Sequence, residues 1–222
     1  MSMHNLKREN WNTNIKTIIM YLFIFFITYF LLVFVLRSFL LWKKTKVNPL
    51  TFNKGDDAHG YNGKVFGIIS IIELIIVSIY AFIPNWHKFL LPFWYLENET
   101  LVYVGWALLI ISLVFVWFAQ SSMKESWRIG IDEENKTELV TNGFFAISRN
   151  PIFLGIMVAN IGLFLVLPTA FTLLIIALST VSINTQIRLE EEFLLKEFGE
   201  QYKMYKGRVN RWITFKISNN EK

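Results

Sequence analysis

The sequence predicts an all-α fold: a polytopic membrane helical bundle of about five transmembrane helices, with a C-terminal helical hairpin and a cytosolic amphipathic helix. Three observations carry this. The chain of 222 residues is 54% hydrophobic, with 21 Phe and 8 Trp, which is too apolar for a soluble domain whose polar surface dilutes its core. The apolar residues gather in runs of spanning length. The basic residues fall between those runs, so the net charge of +5 reads as a topology signal and not as a nucleic-acid patch.

Residues 1–16 are polar and basic, and the apolar run after them, residues 17–41, exceeds the roughly 20 residues needed to cross a hydrocarbon core of about 30 Å. It is too long for a signal-peptide core and lacks a small-residue cleavage site, so it is expected to stay as an anchor. A second run covers residues 65–83 and is ended by Pro84-Asn85-Trp86; a third covers residues 101–119. The last apolar stretch, residues 152–183, is too long for one crossing and is broken at Leu167-Pro168-Thr169. An interior proline removes a backbone hydrogen bond, so a tight helical hairpin is expected there. In the tail, residues 188–208 alternate charged with apolar side chains, and Leu194, Phe198, Tyr202 and Tyr205 recur at helical spacing. That pattern predicts an amphipathic helix bent at Gly199, either lying on the bundle's cytosolic face or continuing out of the last span.

Lys and Arg number three before the first span, five in residues 43–64, one (Lys88) in the second loop, four in residues 124–149 and eight after Asn184. The positive-inside rule then places the loops at 43–64 and 120–150, and the C-terminus, in the cytoplasm. Trp42, Trp86, Trp94, Tyr95 and Trp127 fall at span ends, where amphipathic rings settle among headgroups. Two regions follow: residues 1–119 with three spans, and residues 120–222 with the residues able to carry chemistry. The abundance of Lys, Ile and Asn hints at an AT-rich bacterial genome, hence an inner (plasma) membrane.

The absence of cysteine removes disulfides, zinc knuckles, thiolate nucleophiles and S-acylation. The three His (His4, His59, His87) lack the spacing that lets two imidazoles share one ion, so no protein-built metal site is expected. Glu73 lies inside the second span, where an ionisable group costs several kcal/mol unless paired or wetted; it either hydrogen-bonds within the bundle or lines a path for a substrate.

The most informative residues are Ser126 to Asp132 and then Leu139-Val140-Thr141-Asn142-Gly143-Phe144-Phe145-Ala146-Ile147-Ser148-Arg149-Asn150-Pro151-Ile152-Phe153-Leu154-Gly155, which lead into the hairpin. Asn150 suits an N-cap and Pro151 the first helical position, so a helix should start here with unpaired N–H groups at the interface. With Arg149 beside it, this end makes an anion site, or else Arg149 snorkels to phosphate headgroups. Gly155, Ala159 and Gly162 share nearly one face, which suits close helix packing, with Gly155 expected near the mouth of any pocket.

In order and spacing, these residues follow the pattern Gly-x5-Arg-His-Pro-x-Tyr-x-Gly, a hydrophobic hairpin, Glu-Glu-x-x-Leu and Phe-Gly-x-x-Tyr. Gly143, Arg149, Pro151 and Gly155 occupy the first element, Glu190, Glu191 and Leu194 the second, and Phe198, Gly199, Tyr202, Tyr205 and Val209 continue the match. Over roughly residues 126–212 the chain resembles the isoprenylcysteine carboxyl methyltransferase and phospholipid methyltransferase superfamily. Asn150 stands where the eukaryotic enzymes have His, and Phe153 where Tyr is usual; Arg-Asn-Pro is common in bacterial relatives.

The resemblance implies an S-adenosylmethionine-dependent membrane methyltransferase acting on a small lipophilic acceptor. Its pocket would lie between the Arg-Asn-Pro helix start, the hairpin and the Glu-Glu helix, facing the cytosol. Arg149, Asn150, Pro151, Phe153, Gly155, Glu190 and Glu191 would contact the cofactor, or Arg149 a carboxylate substrate instead, with Arg149 and Glu190 as the catalytic pair. Transfer from a sulfonium needs alignment and exclusion of water more than acid–base help. A carboxylate acceptor needs no base, whereas an amine must lose a proton, for which Glu side chains are the expected candidates. Two alternatives are an NADPH-dependent membrane lipid or sterol reductase, against which Ile156 stands in place of Glu, and a non-catalytic lipid-binding relative.

Overall fold

A computed structural model describes residues 20–46, 57–126 and 138–214. The N-terminal polar segment, the first residues of span one, residues 47–56 of the 43–64 loop, and Trp127 with the segment after it lie outside the described residues. Among the described residues five helices form the bundle: α1 (Met20–Thr45), α2 (Ala58–Phe82), α3 (Glu99–Ser122), α4 (Pro151–Val166) and α5 (Ala170–Arg208). Four of them, α1, α2, α3 and α5, are long and apolar enough to cross a membrane; α4 is apolar but has 16 residues, about 24 Å of helix at 1.5 Å per residue. The chain is a helical membrane bundle, as its hydropathy predicts.

Local chemistry sets the helix starts. Asp57 caps α2 by accepting from Gly60 N at 2.7 Å, so the helix begins about two turns before its apolar run. Asn98 caps α3 by accepting from Leu101 N, and Thr169 opens α5 with a reciprocal capping box to Thr172. Helix α4 ends at Val166 because Pro168 cannot continue it, and three residues turn the chain into α5. Helix α5 runs 39 residues and bends at Gly199, whose φ of 49° and ψ of −119° suit glycine alone. The tail helix therefore continues out of the last span. The apolar stretch from 170 to 187 is its membrane-spanning part, and four of the next five residues, 188–192, are charged.

Helix α4 packs most extensively on α3, and α2 packs along α5. The α3–α4 contact requires small residues: a Cβ on Gly105 would lie 2.7 Å from Gly162 O, and one on Gly155 would collide with Val116 Cγ2. Across it, Ser112 Oγ donates to Gly155 O at 2.8 Å. Leu109, Val116, Leu163 and Val166 fill the centre with Leu22, Val33, Ile76 and Val77. In α1, Leu31–Leu36 winds as a π-helix, and Val33 O within it accepts from the buried Gln120 Nε2. Ile68, Ile71, Ile75, Ile110, Ile111 and Val181 face outward as a lipid-facing surface. Trp42, Trp86, Trp94 and Tyr95 are exposed at helix ends.

The two ends of the bundle differ. At one, the α2–α3 connection is joined to the hairpin turn by an isolated antiparallel bridge, Pro92 with Thr169, in which Phe93 N donates to Pro168 O at 2.8 Å and Ala170 N to Leu91 O at 3.0 Å. The other end gathers the C-terminus of α1, the start of α2, the end of α3, residues 143–150 and the polar part of α5. The described parts of the three basic segments thus share one end, as their charge predicts.

Candidate functional site

The chemistry-bearing residues converge at that second end. Gly143, at φ +60°, lets residues 143–146 turn as a short 3-10 segment against Ser122, and Phe144 packs edge-on to Phe115 of α3. The chain then passes Arg149 into α4. Asn150 does not cap this helix: its side chain donates to Arg211 O at 3.0 Å, and Ser148 Oγ accepts from Asn150 N. Asn150 thus holds the expected N-cap position, with Pro151 at the first helical position, but the side-chain cap expected of it is not made. A backbone strap from the C-terminal side takes the Asn150 amide, so no side chain caps the first-turn N–H groups of α4.

Arg149 and Glu191 meet, with Nη2 2.6 Å from Oε1 and both side chains less than a tenth exposed. Arg211 adds a two-pronged contact, Nε to Oε1 at 3.0 Å and Nη2 to Oε2 at 2.8 Å, and Lys206 Nζ lies 3.6 Å from Oε2. Arg149 Nη1 donates to Val209 O at 2.8 Å and Lys206 O at 3.2 Å, and its Nε is buried with no partner among the described residues. Burial raises the Glu191 carboxyl, but the hydrogen bonds from Arg211 and Arg149 outweigh it and hold the group at about 2. Those bonds likewise raise the Arg211 guanidinium.

The strap is extensive. Arg149 N donates to Asn210 O, Thr214 N to Ile147 O, and Tyr205 OH to Phe145 O at 2.7 Å. Tyr202, Tyr205 and Val209 form a second small core beneath it with Leu139, Leu194 and Phe198. Of the expected contacts, Arg149, Asn150 and Glu191 are thus held by residues 205–214, and Pro151 follows at the first position of α4.

Glu190, one residue away, points elsewhere. Its Oε1 accepts from Gln186 Nε2 at 2.9 Å, and its Oε2 takes no hydrogen bond among the described residues. Burial pushes this carboxyl up to about 7, against the opposing effect of the Gln186 hydrogen bond. Gln186 reaches back to His59 Nδ1 at 3.1 Å and accepts from Asn62 Nδ2 at 3.0 Å. Phe153 rests against Phe66 of α2, centroids 6.2 Å apart, and Gly155 turns its open side to Val116 of α3. Sequence order hid the histidine: His59 precedes Glu190 by 131 residues, yet α2 folds along α5 and brings it beside Gln186. Gln186, Asn62 and Arg211 were also missed. The four-residue step from Gln186 to Glu190 was a usable signal, whereas Arg211 followed the helical pattern and carried none.

Comparison with known proteins gives one family. Residues 100–201, from the first turn of α3 to the polar part of α5, match the phospholipid methyltransferase family model. A search of curated proteins finds no match to the chain. The matched segment contains Arg149, Glu190 and Glu191, while α1, α2 and the strap beyond residue 201 lie outside it. Over residues 100–201 the chain therefore carries a phospholipid methyltransferase domain of the isoprenylcysteine and phospholipid methyltransferase superfamily.

Proposed function

We propose that the protein is an integral membrane methyltransferase that uses S-adenosylmethionine to methylate a small lipophilic acceptor, in the manner of isoprenylcysteine carboxyl methyltransferases. The observation that carries this reading is the meeting of Arg149 with Glu191 at the uncapped start of α4, with Glu190 beside them, all inside the matched segment.

The residues present fit such a ligand. S-adenosylmethionine supplies a methyl group already activated by a positive sulfonium. The first-turn N–H groups of α4 and the orphaned Arg149 Nε would hold its carboxylate, where helix dipole and guanidinium act together. Glu190 Oε2 would accept from its ammonium or ribose hydroxyls. Phe153 and Phe66 offer apolar rings for packing between α2 and α4. Glu191, engaged by two arginines, fixes Arg149 and the strap and leaves ligand contact to its neighbour. Aligned binding and a dry site are the main requirements for the transfer, so no strong base is needed for an acceptor already ionised at neutral pH. The positive-inside rule puts the bundle's basic end in the cytoplasm, and the richness in Lys, Ile and Asn favours a bacterial inner membrane.

The test is tritiated methyl transfer from S-adenosylmethionine into a lipid extract of the host, with calorimetric binding of the cofactor to purified protein. Wild-type protein should bind and label a lipid fraction, and Arg149→Ala and Glu190→Ala should each weaken binding. Lack of binding by folded wild-type protein would overturn the proposal. Binding of NADPH that S-adenosylmethionine does not displace would favour the reductase, and cofactor binding without label transfer the non-catalytic relative.

A further inference from the structure

A polar seam runs between α2 and α5 and ends at Glu190. On α5, Ser182, Gln186 and Glu190 stand at four-residue steps on one face; on α2, His59 and Asn62 stand three apart on the face that meets it. Ser182, Gln186 and Asn62 are buried within a largely apolar bundle. Unpaired, each would be expensive there, so their hydrogen bonds fix their orientations.

The donors can be followed along the seam. Ser182 Oγ donates to Asn62 Oδ1 at 2.9 Å, and Asn62 Nδ2 donates to Ser182 O at 3.1 Å and to Gln186 Oε1 at 3.0 Å. Gln186 Nε2 has two hydrogens and two acceptors, His59 Nδ1 at 3.1 Å and Glu190 Oε1 at 2.9 Å. His59 Nδ1 must therefore be the bare ring nitrogen in this arrangement. With its oxygen held by Asn62, the Gln186 amide cannot turn over without losing three hydrogen bonds. It presents one N–H to Glu190 in a fixed direction, leaving the other carboxylate oxygen for an incoming donor.

We propose that Gln186, braced by Asn62 of α2, is a positioning residue that aims the Glu190 carboxylate at the donor groups of the bound methyl donor. The proposal rests on the methyltransferase reading above. It draws α2, outside the matched segment, into the performance of the site. A seam that served only to join α2 to α5 would have no reason to transmit its effect through Glu190.

The test is a double-mutant cycle on S-adenosylmethionine affinity, measured by calorimetry on the full chain in detergent. Gln186→Met keeps the volume and removes the hydrogen bonds. Loss of one hydrogen bond of ordinary net strength predicts a dissociation constant raised about five- to tenfold in the wild-type background, and by less than about twofold in the Glu190→Gln background. An unchanged constant, or an equal loss in both backgrounds, overturns the proposal and leaves the methyltransferase reading standing. Wild-type protein that binds no S-adenosylmethionine overturns both. If Gln186→Met does not give folded protein, Ser182→Ala loosens Asn62 more gently and is read in the same cycle. A rise of at least about twofold that vanishes with Glu190→Gln supports the brace, and any other result refutes it.

Discussion

Glu191→Ala tests whether the cluster at the start of α4 is a buried ion pair or a surface contact. Both partners are enclosed, with 8% of the Arg149 and 9% of the Glu191 side chain exposed, so the range of about 0–1 kcal/mol for surface pairs does not apply. Removing the carboxylate leaves the Arg149 charge buried with only the Val209 and Lys206 carbonyls as partners, a situation that costs about 3–5 kcal/mol. Arg211 loses both its contacts but is 31% exposed and is rehydrated, so it adds little. For a chain of this size, about 4 kcal/mol corresponds to a fall in melting temperature of roughly 10 °C. Tryptophan fluorescence during thermal unfolding in detergent measures it, and trypsin should cut faster after Arg211 once the strap is released. The companion variant Arg149→Met with Glu191→Leu should recover most of the loss, because an apolar pair of similar volume needs no solvation. A melting temperature within about 2 °C of wild type for Glu191→Ala would refute this account of the site.

The two adjacent glutamates should tilt the pH dependence of stability in opposite senses. Glu191, held at about 2 against an ordinary 4.5, contributes stability that is present above pH 4.5 and lost as pH falls towards 2; Glu191→Gln should flatten the acid side of the melting curve. Glu190, raised to about 7, contributes stability that is fully present below pH 4.5 and lost as pH rises through 7, so Glu190→Gln should flatten the opposite side. At the α3–α4 contact, Gly105→Ala places a methyl against Gly162 O and Val166 and should destabilise by about 1–3 kcal/mol. Gly67→Ala, with nothing within 4 Å, should leave the melting temperature unchanged or slightly raised.

Hydropathy made the bundle legible because a span advertises itself locally, through length and through the proline that splits residues 152–183. Helix bounds shifted where a polar cap lies outside the apolar run, as Asp57 does for α2. The pairing of Arg149 with the Glu-Glu element was legible only through motif order, since 42 residues separate the partners. The strap was not legible: Arg211 and the carbonyls of residues 206–211 act through backbone geometry that has no compositional mark. Asn150 looked like a cap because its residue type favours one, and tertiary contact with Arg211 O overrode that preference. The His59, Asn62 and Gln186 seam was hidden for a different reason. It joins helices 120 or more residues apart in the chain, and hydropathy along one strand of sequence carries no record of which helices become neighbours.

The bridge between Pro92 and Thr169 fixes where the bundle can yield. With Phe93 N on Pro168 O and Ala170 N on Leu91 O, the α4–α5 turn cannot swing away from the α2–α3 connection without rupturing two main-chain bonds. Helices clamped at one extremity can splay only at the other. A small lipophilic acceptor of the proposed kind would therefore enter from the leaflet around Arg149, beside Phe66 and Phe153. The opposite leaflet would remain a bystander to the reaction.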